Sequence, residues 1–279
     1  MDYYDAHIHV FDFDFMERTR MEYTSLEGFS GGCFIVFEEL PDRWDQVLMM
    51  VPPQYHKLLN REKLYFTKEL FEWFSTLEGI SVIPYLDTRF FLSGHVKNIK
   101  KYADAGYGGV KIIYLPEKDE FLKVDGWEQT FGRSVKASEQ VTSDIVAQCH
   151  RLALPVLIHL DLRQYGDFMD ELLSAYPDVN FNVPHFGSSR KKMADFFKRY
   201  PNCFSDFSSL LPLMKKAPGA YAEFMIEFSD QILLGSDDVT GCPSALGEYV
   251  DYVRTLVDES VFKKVIQENY LRFHRIMTF

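Results

Sequence analysis

Asp5-Ala6-His7-Ile8-His9 places two imidazoles two residues apart inside an apolar, strand-like run near the start of the chain. Side chains alternate faces along a β-strand, so His7 and His9 point the same way and Ile8 the other. Histidine is the commonest metal ligand, and a parallel pair is a good start on a metal site. Other residues able to do chemistry stand at or near the ends of further short apolar runs. Lys111 lies in Gly109-Val110-Lys111-Ile112-Ile113, and His159 closes Pro155-Val156-Leu157-Ile158-His159. His185 follows Val183-Pro184, and Asp237 follows Leu234-Gly235-Ser236. Half of the eight histidines therefore fall at such ends, joined by one lysine and one carboxylate. His56, His95, His150 and His274 fall on helical or loop stretches and read as surface or packing residues.

The runs that carry these residues belong to a longer rhythm. Candidate strands are Tyr3–Val10, Cys33–Phe37, Ser81–Leu86, Val110–Leu115, Val156–Leu160, Val179–Val183, Cys203–Phe207 and Ile232–Gly235, with helical patterns between them. Such alternation implies parallel strands with helices outside, and eight repeats imply closure into a (β/α)8 TIM barrel. Working residues of such barrels lie at the C-terminal strand ends, where the residues above fall. Ser93 is read as the cap of a helix that stops at Gly106, and Thr142 or Ser143 as the cap of one reaching Leu154. Tyr176-Pro177 and Tyr200-Pro201 close two more. Residues 1–279 read as a single barrel domain with two long connections. One, between the second and third strands (38–79), is a candidate helical insertion; the other, Pro116 to Ala137 after the fourth strand, is a lid or peripheral packing. No Gly-rich phosphate loop follows the first strand, so a dinucleotide or P-loop fold is unsupported.

A net charge of −11 opposes nucleic acid as a partner, because phosphate binding needs concentrated Lys and Arg. No run is apolar and long enough to cross a bilayer, and the start lacks signal-peptide character, so a soluble cytoplasmic protein is expected. Cys33, Cys149, Cys203 and Cys242 lie far apart and suit reduced, mostly buried thiols.

DAHIHV, GGVKII, PVLIHL, VPHFG and LLGSDD, in that order, resemble the signatures of the amidohydrolase superfamily, in particular its small-barrel amidohydrolase-2 group. Ile266-Gln267-Glu268-Asn269-Tyr270-Leu271 resembles that group's closing helix, and the likeness spans Asp5 to about Asn269. The resemblance implies that His7, His9, His159 and Asp237 bind a divalent metal, with Zn²⁺ the first choice for such ligands. It places His185 beside the metal as a catalytic imidazole or as a ligand of a second ion. Lys111 stands where binuclear relatives carry a carbamylated, metal-bridging lysine; the group itself is typically mononuclear. Asp238-Val239-Thr240 departs from the pattern, since an aromatic residue and Pro are common there.

The implied activity is hydrolysis of an amide, ester or lactone in a small, carboxylated organic substrate by metal-activated water. Asp237 would take the water's proton, and His185 or the metal would polarise the carbonyl. Arg89 and Arg163 could pair with the substrate carboxylate, and Tyr114 and Tyr165 could line the cleft; both arginines could instead pair with acidic neighbours. Asp206 could orient a ligand histidine or serve structure alone. A metal-dependent decarboxylase or hydratase on the same scaffold is the alternative; some such decarboxylases carry Glu in place of His7. A TatD-like nuclease fits less well, because that group carries Glu where this chain has Lys111. A binding barrel without catalysis would not require all these strand-end residues together. A homodimer is compatible with the fold.

Overall fold

A computed structural model describes residues 1–10, 22–59, 67–120, 122–239 and 244–276. Thr240 and Cys242, which figure in the sequence reading, lie outside these residues. The strands are β1 (Tyr3–His9), β2 (Phe29–Phe37), β3 (Ser81–Asp87), β4 (Gly109–Ile113), β5 (Val156–His159), β6 (Phe181–Asn182), β7 (Cys203–Asp206), β8 (Ile232–Leu233) and β9 (Asp238–Val239). Their order is β8-β7-β6-β5-β4-β3-β2-β1-β9, and every pairing is parallel.

Both edges of that sheet belong to one stretch of chain. β8 pairs with β7, and β9, a few residues later, pairs with β1. Between them Ala6 N–H donates to Leu234 O at 2.8 Å and Asp237 N–H donates to His7 O at 2.9 Å. The eighth strand, expected over Ile232–Gly235, is the shorter β8, and β9 beyond it completes closure of the (β/α)8 barrel. β2 starts four residues before the expected Cys33, because Gly31 and Gly32 let it pass between its neighbours. A Cβ at Gly31 would sit 2.0 Å from Ser81 O, and one at Gly32 2.6 Å from Asp5 O.

Helices cover the outside. α1 (Trp44–Met49) and α2 (Thr67–Phe74) lie in the first long connection. α3 (Ile99–Ala105) ends at Gly106 in the left-handed conformation, φ 115°, as expected of a glycine stop. Ser93 does not cap it; Ser93 opens a 3-10 turn that leads into the helix. α4 (Trp127–Phe131) lies in the second connection, where Trp127 is buried and its indole N–H donates to Arg89 O at 2.7 Å. That tryptophan packs over the exit of β3. α5 (Val135–Leu152) begins well before the expected Thr142 or Ser143 cap, because Ser134 accepts the Ala137 N–H. Thr142 then faces inward in mid-helix with Ser138, one turn earlier. α6 (Leu162–Ala175) follows β5, α7 (Arg190–Arg199) follows β6, and α8 (Leu211–Lys216) with α9 (Pro218–Glu227) follows β7. α10 (Ser244–Leu256), α11 (Glu259–Lys263) and α12 (Asn269–Phe273) complete the chain, and none of the described helices is long and apolar enough to cross a membrane.

Inside the barrel Ala6, Cys33, Ile35, Tyr85, Leu157, Phe204, Leu233, Tyr270 and Phe273 form a packed column beneath the strand ends. At its base His274 Nε2 lies 2.9 Å from Tyr85 OH and 3.2 Å from Cys33 Sγ, while Nδ1 donates to Tyr270 O at 2.9 Å. His274 is thus a packing residue, and burial lowers its pKa to about 4. A depressed histidine stabilises the fold above its unfolded value of about 6.5, and this contribution is lost as pH falls toward 4. The partly exposed His274→Gln variant is therefore expected to lose about 1 kcal/mol less stability than the parent between pH 7 and pH 5. Urea unfolding at both pH values measures this; parallel losses would assign the acid sensitivity elsewhere.

Candidate metal centre

Strict alternation along β1 would put Ala6 and Ile8 on one face. Instead Ala6 packs in the inner column, Ile8 packs in the outer layer, and the register with β2 shifts between Asp5 and Ile8. This bulge turns His7 and His9 together into the mouth of the barrel. Asp5 holds it: the carboxylate accepts the His7 N–H at 2.9 Å, the Ser236 N–H at 3.1 Å and the Ser236 hydroxyl at 2.5 Å. One buried side chain thereby ties the first strand to the eighth.

The two imidazoles meet Asp237. His7 Nε2 and His9 Nε2 are 3.2 Å apart, and each lies near Asp237 Oδ1, at 3.2 and 3.3 Å. Asp237 Oδ2 turns the other way, accepting the Ser209 hydroxyl at 3.1 Å and facing His185 Nε2 at 3.9 Å. Ligating atoms of His7, His185 and Asp237 all lie within 4.8 Å of one another. His159 stands edge-on to His185, with ring centres 5.3 Å apart, and Lys111 Nζ lies 3.0 Å from His7 Nε2. Asp237 adopts φ 60° and His185 φ 56°, left-handed values that cost a side-chain-bearing residue energy and that concentrate at functional sites.

Behind this front lies a network centred on Asp206. Its Oδ1 accepts the Ser208 N–H at 3.1 Å, the Ser208 hydroxyl and the His185 N–H; its Oδ2 accepts the Asn182 amide at 2.9 Å and lies 3.4 Å from His7 Nδ1. Gly235 makes room for this carboxylate, because a Cβ there would sit 2.8 Å from its carbon. A carboxylate beside His7 Nδ1 keeps the proton on that nitrogen and turns the lone pair of Nε2 toward the centre. Ser208 O, 2.7 Å from His185 Nδ1, can only accept, so there too Nε2 is the nitrogen left facing inward.

Burial, with Lys111 nearby, holds the His7 imidazole below its ordinary pKa, and burial lowers His9 to about 4 and His159 well below the usual value. Burial alone would raise Asp237 and Asp206, but the facing histidines outweigh it and hold both carboxyls low. Burial also brings Lys111 down to about 8. Neutral imidazoles and ionised carboxylates are the forms that bind metal. Spacing agrees with chemistry. A tetrahedral ion with bonds of about 2.0–2.1 Å needs donors roughly 3.3–3.4 Å apart, close to the His7–His9–Asp237 triangle.

The sequence profile of the amidohydrolase family matches residues 86–272, about two thirds of the chain. The chain belongs to the amidohydrolase family. It is a metal-dependent hydrolase. No curated protein matches it in sequence. Among solved structures it is similar to an uncharacterised TIM-barrel protein from Bordetella bronchiseptica, with TM-score 0.63 and 13% identity over 98% of both chains. It is also similar to a phosphotriesterase homology protein from Escherichia coli, complexed with phosphate in the active site (TM-score 0.58, 14% identity, 98% of both chains). A lactonase from Listeria monocytogenes gives TM-score 0.59 at 11% identity, covering 99% of this chain and 95% of that one. Those likenesses establish the barrel fold.

The arginines singled out from sequence are both engaged within this amidohydrolase. Arg89 is buried and grips Asp87 through Nε, at 3.1 and 3.0 Å, and Nη2, at 2.7 Å. Arg163 makes the same side-on pair with Asp161 at the surface, Nε at 2.9 and 3.0 Å. Each pair is an Asp-x-Arg in which the arginine's own N–H also donates to the carboxylate, at 2.9 and 2.8 Å. Of the two arrangements expected for these arginines, the structure shows the pairing with acidic neighbours for both. Tyr114 is fully buried against Trp127, Tyr165 and Phe168. Ser208, Asn182 and Asp5 were not evident as site residues from sequence; the Asp206-Phe207-Ser208 spacing was the signal for the first.

Proposed function

We propose that this amidohydrolase cleaves an amide, ester or lactone bond in a small, carboxylated organic molecule, using one zinc ion held by His7, His9, His159 and Asp237. The observation that carries the reading is the triangle of two inward-facing imidazole nitrogens and one carboxylate oxygen. Bound there, such an ion supplies Lewis-acid polarisation of a carbonyl and a water acidic enough to deprotonate near neutral pH.

The chain's own groups divide the remaining work. Asp237 Oδ1 is the carboxylate corner of that triangle and would bind the ion, which leaves Oδ2 as the atom that takes the water's proton. His185 Nε2, facing Oδ2, can receive that proton and pass it to the leaving group; while protonated it donates to the developing oxyanion. Ser208, bonded to both His185 and Asp206, fixes the imidazole for this task. Lys111, unmodified in this one-ion reading, lies among Asp87, Asp206 and Asp237 and offsets their charge.

Elemental analysis of untagged protein tests the reading. About one zinc per chain is expected, with hydrolysis of a panel of esters, lactones and amides lost on chelation and restored by zinc. A count near two would replace the single ion with a Lys111 carbamate bridge, and full activity in metal-free protein would overturn the metal mechanism.

A further inference from the structure

Arg133 differs from Arg89 and Arg163 in having no acidic partner among the described residues. Its side chain is only 8% exposed, and Nη1 donates to Phe91 O at 2.7 Å. Nε and Nη2 find no acceptor among the described residues. These two nitrogens form the side-on edge of the guanidinium, the edge that Arg89 and Arg163 each present to a carboxylate. The guanidinium lies 3.9 Å over the Trp127 ring, and Trp127 in turn meets Tyr114 edge-on, with ring centres 5.8 Å apart. The Tyr114 hydroxyl, fully buried, and Thr130 Oγ1, on the same short helix as Trp127, also lack partners among the described residues. Burial lowers the Arg133 pKa to about 10. A buried guanidinium without an anion is costly, and unpaired donors beside it add to the cost.

We propose that Arg133 and Tyr114 form a binding subsite for an oxyanion, a carboxylate or phosphate group held side-on by Nε and Nη2. Tyr114 connects it to the hydrolytic centre, since it directly follows β4 and its N–H donates to His159 O at 2.8 Å. Where the anion is the distal group of the substrate, the inference rests on the hydrolase reading and names what recognises that end; where it is a free anion, it stands alone.

Calorimetric titration of succinate and of inorganic phosphate into the zinc-loaded protein tests the subsite. One binding event is expected to survive in the His7→Ala/His9→Ala double variant, so loss of the metal does not mask it. Arg133→Met should weaken that event roughly tenfold to a hundredfold, and the isosteric Tyr114→Phe about three- to tenfold. Tyr114→Phe keeps the test valid should Arg133→Met misfold. A comparison of 4-nitrophenyl hemisuccinate with 4-nitrophenyl acetate separates the sources. A KM increase confined to the hemisuccinate assigns the subsite to the substrate; unchanged KM for both, with weakened anion titration, assigns it to a free anion. Equal anion affinity in parent and variants, or no binding of either anion by the parent, overturns the proposal. Absence of metal-dependent hydrolysis would sink the hydrolase reading alone and leave the titration to decide the subsite.

Discussion

Asp237→Asn is expected to lower hydrolytic turnover by about 10³- to 10⁴-fold while the barrel stays folded. Asparagine matches the size of the side chain and tolerates the left-handed backbone of φ 60° that this position requires. Its amide oxygen can still face His7 and His9, as Oδ1 does at 3.2 and 3.3 Å. What it cannot do is accept a proton at the Oδ2 position, which would carry an NH₂ group directed at Ser209 and His185. The measurement is turnover at saturating zinc, alongside metal content and circular dichroism. Turnover within tenfold of the parent would show that Asp237 is not the proton acceptor.

Asp206 should show the largest effect on stability. Asp206→Ala removes the acceptor shared by His7, Asn182, His185 and Ser208 in a fully buried setting, and is expected to destabilise the fold by about 3–5 kcal/mol. Asp206→Asn keeps the shape but loses the charge that orients His7, so zinc affinity should fall about 10- to 100-fold, with a smaller change in turnover once the site is filled. Urea unfolding and competition with a chromogenic chelator read the two quantities separately. Unchanged zinc affinity in Asp206→Asn would reduce Asp206 to a structural role.

The barrel and much of its centre were legible along the chain because the relevant signals are local. Apolar runs alternating with amphipathic stretches reveal strands and helices without reference to anything distant, and Gly106 stops its helix for reasons internal to glycine. His7 and His9 still converge because the register shift falls between Asp5 and Ile8, and regular pairing resumes at Ile8 and His9. Their arrival in the barrel mouth depends on a register shift set by Asp5 and Ser236, 231 residues apart. No local pattern records it.

Split closure by β8 and β9 is likewise a property of the closed sheet, since the same eight residues must serve β7 at one end and β1 at the other. Charge pairing marks the limit most clearly. Asp87-Thr88-Arg89 and Asp161-Leu162-Arg163 carry a readable sign that each arginine is spoken for. Arg133 carries none, and only the tertiary structure shows a buried guanidinium lying over Trp127 whose side-on edge has no partner among the described residues. Periodicity and residue type determine which elements form and which ligand types they carry. Partner choice for a buried charge depends on which distant groups burial brings within about 3 Å, and folding alone decides that.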